Sequence, residues 1–281
     1  MVGDGANDLI AIKQANIGIG IQESDGVYSS SFGVKTLSQV VTIVKEGKNA
    51  ERQVVEMVLY FTLNIYLVNV CMAVMLNDSA FFGDLQITYR IFGLVVLMTI
   101  FVSLSGPADR LSRYMPASNF MGLEHHLVFW GSTVIMTIGF VVGYQLIYRS
   151  DDFIRNTETR ITFSDGWSGE NMSATVIFLL ITTFAIFMAP AFMRGAPWKQ
   201  PFYTNIPRMV LLIINIIALG LIYFFTAELP ALTKVPISRR WAAIELGVGV
   251  GTGIVLIVYN KIIEGLRLHE RPDPEPDEEE Y

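Results

Sequence analysis

The sequence predicts a mostly α-helical membrane protein, in which a six-helix transmembrane bundle follows a small remnant of an α/β domain. Composition supports the membrane assignment, because 52% of the 281 residues are hydrophobic and only 16% are charged. Ordinary soluble domains are about a quarter charged. Six apolar segments also approach the roughly 20 residues that a helix needs to cross a bilayer. Ahead of them lies a short acidic, glycine-rich loop, Gly3 to Asp8.

Residues 1–47 are predicted to form the water-soluble part of the chain. Asn7–Ala15 carries apolar residues at helical spacing, and Ile17–Ile21 is a short apolar run typical of a buried strand. A Ser/Gly-rich stretch at 24–34 is predicted to contain one more strand, and Thr36–Glu46 a second amphipathic helix. This alternation of helix and strand indicates part of an α/β layer. The predicted apolar face of the first helix consists of Leu9, Ile10 and Ile12.

The transmembrane domain is predicted to cover residues 48–264. Its first helix begins with polar residues after Gly47 and becomes apolar without an intervening proline or glycine. One helix of about 40 Å would therefore leave the bilayer and enter the soluble part. The six predicted spans are Met57–Leu76, Ile87–Ser105, Leu127–Ile147, Ser173–Met193, Met209–Thr226 and Ala242–Ile263.

Both termini are predicted to lie in the cytosol, because six spans return the chain to the side on which it starts. Basic residues occur in the loops on both sides, so the positive-inside rule supports this orientation only in part. Residues 265–281 form an acidic, proline-rich run that is predicted to be a disordered cytosolic tail. Cys71, the only cysteine, lies within an apolar span, so the sequence has no disulfide framework.

The loop Gly3–Asp8 carries the candidate chemistry. Asp4 lies between two glycines, whose small size lets a backbone and a carboxylate approach a ligand closely. The loop is predicted to follow a strand and to precede a helix, where backbone N–H groups favour anions. A carboxylate is also a hard oxygen ligand that suits Mg²⁺. Asn7 and Asp8 are placed to hydrogen-bond a phosphate or to order the loop, and a plain Asx turn with a helix cap is the alternative.

Val2–Asp8, which reads Val-Gly-Asp-Gly-Ala-Asn-Asp, resembles the hinge motif of P-type ATPases. In that family the motif lies in a haloacid-dehalogenase-like phosphorylation domain. The resemblance implies that Asp4 binds Mg²⁺ and that Asn7 and Asp8 help to hold the phosphorylated loop. It also implies that the six spans correspond to membrane helices five to ten of such a pump.

Further segments resemble the P5 subfamily, and P5B ATPases most of all. Gly195–Asn205, which reads Gly-Ala-Pro-Trp-Lys-Gln-Pro-Phe-Tyr-Thr-Asn, is similar to the stretch after the eighth helix of P5B ATPases. Gly83–Gln86 is similar to the approach to their sixth helix. Less specific similarities are found at Gln22–Ser24 with Ser31–Phe32, at Gly106–Pro107 with Pro116, and at Glu170–Asn171.

The resemblance implies an ATP-driven cation transporter that works through an aspartyl-phosphate intermediate, and most specifically one that exports polyamines from the lumen to the cytosol. The implied cofactors are Mg²⁺ and ATP. The implied partners are membrane lipid, a polyamine or other cation, and the missing N-terminal part of the same pump, with no nucleic acid. The implied location is a late endosomal, lysosomal or vacuolar membrane, with the endoplasmic reticulum as the alternative. Alternative functions are a P4-type phospholipid flippase, which shares the opening motif, and a non-catalytic membrane scaffold.

Two departures from the family pattern qualify these expectations. The sequence lacks the Asp-Lys-Thr-Gly-Thr motif whose aspartate is phosphorylated, as well as the ATP-binding domain. The chain is therefore expected to be a C-terminal fragment without ATPase activity of its own. In addition, Ile87–Ile91 contains Arg90 and no acid, where P5B sequences usually carry an aspartate. Arg90 is expected to extend to the outer membrane interface.

Polar residues within the apolar spans are candidates for a transport pathway, because buried polar groups need partners in lipid. Asn64 and Asn69 lie in the first span, and Asp84 lies at the outer mouth of the second. Helix–helix packing is an equal alternative for the two asparagines, and solvation for Asp84. Asn215 and Glu245 are weaker candidates, and Glu245 is expected to be solvated near the interface.

Overall fold

The computed structural model describes residues 1–21, 30–78, 80–116, 122–154, 172–229, 232–233 and 235–266. Within these residues, six helices are long and apolar enough to cross a membrane, and a three-stranded parallel sheet lies at the start of the chain. The predicted fold class, a mostly α-helical bundle with an α/β remnant, is therefore confirmed. The predictions for Gln22–Ser24, for Glu170–Asn171 and for the acidic tail from Arg267 onward lie outside the described residues.

The sheet consists of three short strands in the order β1-β2-β3, namely Val2–Gly3, Ile19–Ile21 and Phe32–Val34. A 3-10 turn, Ala6–Asp8, and helix α1, Leu9–Gln14, connect β1 to β2. Ile12 of this helix is buried, as predicted, whereas Ile10 is 74% exposed. The prediction for Ile10 is wrong because a helix of six residues turns one narrow face to so small a sheet.

Helix α2, Leu37–Asn77, runs without interruption for 41 residues, or about 62 Å. It begins with a capping box in which the side chain of Gln39 accepts a hydrogen bond from the backbone N–H of Thr36, the N-cap residue, at 3.4 Å. The two helices that the sequence predicts on either side of Gly47 are thus one. A single interior glycine costs only about 1 kcal/mol of helix stability, and the helical turns on both sides outweigh that cost.

The second span contains a change of helical type. Helix α3, Asp84–Thr88, continues into a π-helical segment, Tyr89–Val96, and then into helix α4, Leu97–Val102. The remaining spans are α5, Leu123–Tyr148, α6, Met172–Phe192, α7, Ile206–Phe224, and α8, Arg239–Gly265. The wider π-helical turn shifts the positions of the side chains that follow it, and such segments are frequent at functional sites.

Helix α6 forms the centre of the bundle. It contacts α2, α5, α7 and α8, and nearly every residue along it is buried. The segment contains no charged residue, as expected for a helix that is surrounded by other helices and has no polar stripe. The core therefore extends outward from α6, with Phe178 and Phe184 among its largest fully buried side chains.

Helix α8 packs against α6 along one row of glycines. The sequence alternates glycine at 247, 249, 251 and 253, which predicts close helix packing. A Cβ added at Gly249 would lie 2.8 Å from Cγ2 of Thr183, and one at Gly253 would overlap the ring of Phe187. Gly247 and Gly251 face open space. Because residues four apart share a helix face, only one pair of the four glycines permits the close approach.

Replacing Gly253 with alanine should therefore destabilise the bundle by about 1–3 kcal/mol, the usual cost of overpacking a tight contact. Thermal unfolding in lipid nanodiscs measures the effect. The matched control is Gly251→Ala, which we expect to be neutral or slightly stabilising, because alanine favours helix and meets nothing there. Equal effects of the two changes would contradict the packing described above.

Candidate functional site

The acidic loop lies at the carboxyl end of strand β1. Asp4 follows the strand directly and is exposed, while Asn7 and Asp8 belong to the 3-10 turn that leads into α1. The backbone N–H of Asp8 donates to the carbonyl of Gly5 at 3.2 Å. Ligands of parallel α/β sheets bind at this edge, outside the carboxyl ends of the strands. The loop thus has the strand–loop–helix setting that its predicted chemistry requires.

Gly3 allows this loop to be compact. A Cβ at this position would lie 2.7 Å from Cβ of Asp8 and 2.9 Å from Cδ1 of Ile12. Any larger residue would push Asp8 and the start of α1 away from the sheet. Gly5 is similarly close to the side chain of Asn7. The tight turn brings Asn7 and Asp8 close to the strand and leaves the carboxylate of Asp4 open to solvent.

The donor chemistry of the loop fits part of a Mg²⁺ site. Asp4 offers an exposed carboxylate that forms no ion pair with the described residues. No group of three His, Cys, Asp or Glu side chains with metal-binding geometry occurs in the part of the chain that the structure describes. Mg²⁺ characteristically uses one or two carboxylates together with waters and substrate phosphates. Asp4 would then be the one protein ligand that this chain supplies.

A buried charged cluster, which we call the Glu56 cluster, lies at the end of the bundle nearer the sheet and was not predicted. It consists of Glu56, Arg52, Lys199 and Arg208. Lys199 Nζ lies 2.7 Å from Oε2 of Glu56, while Arg52 and Arg208 each approach the carboxylate to 3.9 Å. The Glu56 side chain is 1% exposed. Burial lowers the pKa of Lys199, although Glu56 acts in the opposite direction.

Glu56 also joins helix α2 to the loop between α6 and α7. Its Oε1 accepts a hydrogen bond from the backbone N–H of Arg194 at 3.1 Å, and the guanidinium of Arg194 pairs with Glu124 at the start of α5. Arg194 directly precedes the Gly195–Asn205 segment, and Lys199 lies within it. That segment is therefore fixed to α2 by an ion pair and by a backbone hydrogen bond.

The same face of α2 is bonded to the loop that follows α4. Asn49 Nδ2 and Gln53 Nε2 donate to the carbonyl of Ser105 at 3.0 and 2.6 Å, and Lys48 Nζ donates to that of Ser112 at 2.8 Å. Lys48, Arg52 and Glu56 are four residues apart, and so are Asn49 and Gln53. That spacing, which places them on one helix face, is the sequence signal that could have revealed the cluster.

Arg90 lies inside the bundle, so the prediction that it extends to the interface is wrong. It is 5% exposed, and its NH2 donates to Oδ1 of Asn64 at 3.1 Å. Gln86, Arg90 and Leu94 are spaced by four and are all buried, so they share the face that the second span turns toward the protein. Among the described residues no carboxylate forms an ion pair with Arg90.

The π-helical segment that begins beside Arg90 is held by α7. Tyr89 OH donates to Oδ1 of Asn215 at 2.9 Å, and Nδ2 of Asn215 donates to the carbonyl of Leu211 at 2.9 Å. The same amide lies 3.5 Å from the carbonyl of Gly93 within the π-helical segment. Asn215, a weak candidate from sequence, is thus a structural partner of the segment that carries Arg90.

Of the three predicted pathway residues, only Asn64 lies in a polar contact within the bundle. It is 2% exposed, and its Nδ2 donates to the carbonyl of Tyr60 at 2.9 Å. Asn69 is exposed, and its amide donates to the carbonyl of Ile65 within the same helix at 3.0 Å. Asp84 is exposed at the start of α3, where a negative charge suits the helix dipole. The structure does not bring these three together.

Glu245 is fully buried, so the prediction that it is solvated is wrong. Its exposure is 0%, and neither carboxylate oxygen has a hydrogen-bond partner among the described residues. The reason lies in helical geometry rather than in depth along α8. Glu245 precedes Gly249 by four residues and therefore shares the face that packs against α6.

No family model matches the chain. The chain is 28% identical over 250 residues to polyamine-transporting ATPase 13A2 of Mus musculus, covering 85% of this chain and 20% of that protein. It is 27% identical over 261 residues to probable cation-transporting ATPase 13A4 of the same species, covering 83% and 21%. It is also 25% identical over 209 residues to cation-transporting ATPase catp-5 of Caenorhabditis elegans, covering 73% and 17%.

These similarities confirm the resemblance to P5-type ATPases that the motifs indicated, and they are consistent with a P5B-like segment. The chain spans about a fifth of the length of the curated relatives it matches.

Proposed function

We propose that this chain is a fragment of a P5-type, ATP-driven cation transporter, and that the cation is a polyamine moved from the lumen to the cytosol. One observation carries the proposal: helix α2 is continuous from the sheet that bears Asp4 into the membrane bundle. Chemistry at the loop and movement in lipid are thereby joined by a single rigid element. The names of similar proteins, which include a polyamine-transporting ATPase, support the choice of substrate.

In this proposal the loop residues prepare a phosphorylation site whose nucleophile lies outside this chain. Asp4 would hold Mg²⁺, which when bound neutralises negative charge on a transferring phosphoryl group. Asn7 and Asp8, kept near the strand by Gly3, would order the phosphorylated loop. ATP would bind to a domain that this sequence does not contain. The chain alone should consequently not hydrolyse ATP.

Arg90 has a particular place in the proposed pathway. Its guanidinium donates a hydrogen bond to Oδ1 of Asn64. An ammonium group of a polyamine would donate to an oxygen of the same kind. Like charges close together repel, by about 4 kcal/mol at 4 Å in a partly polar medium. A polyamine that reaches Asn64 must therefore displace Arg90, so Arg90 should weaken binding of the substrate in the conformation described here.

The proposed location is a late endosomal, lysosomal or vacuolar membrane, with both termini in the cytosol. In that orientation the Glu56 cluster, the Gly195–Asn205 segment and the loop Gly3–Asp8 lie on the cytosolic side. The six spans support this arrangement, because an even number of crossings returns the chain to the side on which it starts.

The test measures the ATPase activity of the complete transporter in liposomes. We expect spermine to stimulate the activity, and we expect Arg90→Gln to lower the spermine concentration for half-maximal stimulation by about tenfold, since a repulsive charge is removed. The matched control is Asn69→Ala, which changes a polar residue of the same bundle that lies outside the Arg90–Asn64 contact and should leave this concentration unchanged.

Each contrary outcome is informative. Stimulation by a phospholipid and not by spermine would replace the polyamine proposal with a flippase. Absence of ATPase activity from the complete protein would favour a non-catalytic scaffold. A rise in the half-maximal concentration on Arg90→Gln would show that Arg90 assists the substrate and does not compete with it.

A further inference from the structure

Helices α6, α7 and α8 meet around one acidic side chain, Glu245. It is 0% exposed, and both carboxylate oxygens lack hydrogen-bond partners within the described residues. No cation of the described chain forms an ion pair with it. An ionised carboxylate in such surroundings is strongly unfavourable, and a buried acid of this kind takes up a proton and becomes neutral.

The neighbours of Glu245 offer hydroxyl groups and no compensating charge. Tyr223 of α7 lies close enough to Glu245 to interact with its carboxyl group electrostatically. The hydroxyl of Tyr223 lies 3.2 Å from Oγ1 of Thr183 on α6. Helix α6 contains no ionisable residue. On α5, the ionisable Tyr144 is already bonded to Asp78 and Ser173. On α8 itself, Arg239 lies 5.5 Å from the ring centroid of Phe224.

We propose that Glu245 is a proton-binding site of the membrane domain, which holds its proton while α6, α7 and α8 are packed together and releases it when this junction opens to water. On release the O–H bond of the carboxyl group breaks, the oxygen keeps the electron pair, and a water molecule or buffer takes the proton. Binding to only one of two conformations makes the proton a ligand that shifts the equilibrium between them.

A purely structural role explains Glu245 less well. An apolar side chain of similar size would fill the same space without the cost of burying a carboxyl group that no partner satisfies. An acid at a fully buried, unpartnered position in a membrane helix is typical of proton pathways in pumps and transporters.

The first test is infrared spectroscopy of the complete transporter in lipid at neutral pH, where exposed carboxylates are ionised and do not contribute a carboxylic-acid carbonyl band. We expect the wild type to show such a band and Glu245→Gln to lose a component of it. The matched control is Glu228→Gln, an exposed acid in the loop after α7, which should leave the band unchanged. An unaltered band in Glu245→Gln would overturn the proposal.

Should Glu245→Gln fail to assemble, titration of the wild-type band decides the question. We expect the band to persist into mildly alkaline pH, whereas loss of the whole band in the acid range of exposed carboxylates would refute the assignment. Neither measurement requires ATPase activity. The infrared result therefore stands even where spermine fails to stimulate the transporter and the proposed function is wrong.

The second test addresses the link to conformational change and rests on the proposed function. A phosphate analogue that traps the phosphorylated state is added while a pH indicator reports protons released. We expect Glu245→Gln to release one proton fewer per transporter than the wild type. Equal release by both proteins would show that Glu245 stays buried throughout and would overturn the coupling.

Discussion

Replacing Asp4 with asparagine should abolish the ATPase activity of the complete transporter. Asp4 is the one exposed carboxylate at the carboxyl end of β1, between two glycines that leave it accessible. Its removal would take away the negative ligand for Mg²⁺ during phosphoryl transfer. Loss of a single group that stabilises a transition state electrostatically costs about 100- to 1,000-fold in rate, and we expect at least the lower figure. ATP hydrolysis at saturating Mg²⁺ and ATP measures it.

The amide of the substituted asparagine matches the carboxylate in size, and Asp4 makes no ion pair with the described residues. Thermal stability should therefore be unchanged, which separates a chemical role from a folding defect. Asp109→Asn, at another exposed acid, is the matched control and should retain full activity. Retention of most activity by Asp4→Asn would leave the plain Asx turn as the better interpretation of the loop.

Replacing Glu56 with alanine should destabilise the membrane domain by about 3–5 kcal/mol, the usual cost of removing one partner from a buried ion pair. The change would leave Lys199, Arg52 and Arg208 buried near one another without a counter-charge. It would also remove the acceptor of the Arg194 backbone N–H. Thermal unfolding in nanodiscs measures the effect, and Glu46→Ala, at an exposed acid of the same helix, is the control.

The pH dependence of stability gives a second, independent readout. Burial lowers the pKa of Lys199 below its ordinary value of 10.5. Between the folded and unfolded pKa values the unfolded chain binds more protons, so the contribution of Lys199 to stability rises with pH and is complete above 10.5. Loss of Glu56, which holds this pKa up, should widen the window toward lower pH. An unfolding temperature with the same pH profile in the wild type and in Glu56→Ala would contradict the pairing of Lys199 with Glu56.

The sequence was sufficient to predict the six spans, the continuity of the first span with the soluble part, and the strand–loop–helix setting of Asp4. These features depend on long apolar runs and on local backbone chemistry, which a single chain records directly. Arg90 and Glu245 were placed wrongly because both lie near the ends of apolar runs, where depth alone suggests contact with water. Their burial depends instead on which side of the helix faces the neighbouring helices. Arg90 faces Asn64 of α2, and Glu245 shares with Gly249 the side of α8 that packs against α6.

The Glu56 cluster was missed for a different reason. Its members come from α2, from the loop between α6 and α7 and from the start of α7, which are distant in sequence. Charge alone does not show which of these segments will contact which. The spacing of Lys48, Arg52 and Glu56 by four residues does indicate one polar helix face. It does not indicate that Lys199 and Arg208 cover that face, because the packing of α6 against α2, and of α7 against α4 and α6, brings them there.

The position of Glu56 along α2 has a mechanical consequence. The helix extends about 30 Å from Glu56 to each of its ends, Leu37 and Asn77. If α2 slid along its axis by one turn, the carboxylate would move by about 5 Å and lose its contact with Lys199. A tilt of α2 about Glu56 would leave the ion pair intact. The helix would thus pivot about Glu56, with two arms of nearly equal length. A displacement of the end at Leu37, next to the sheet, would then move the end at Asn77 by about the same distance in the opposite direction.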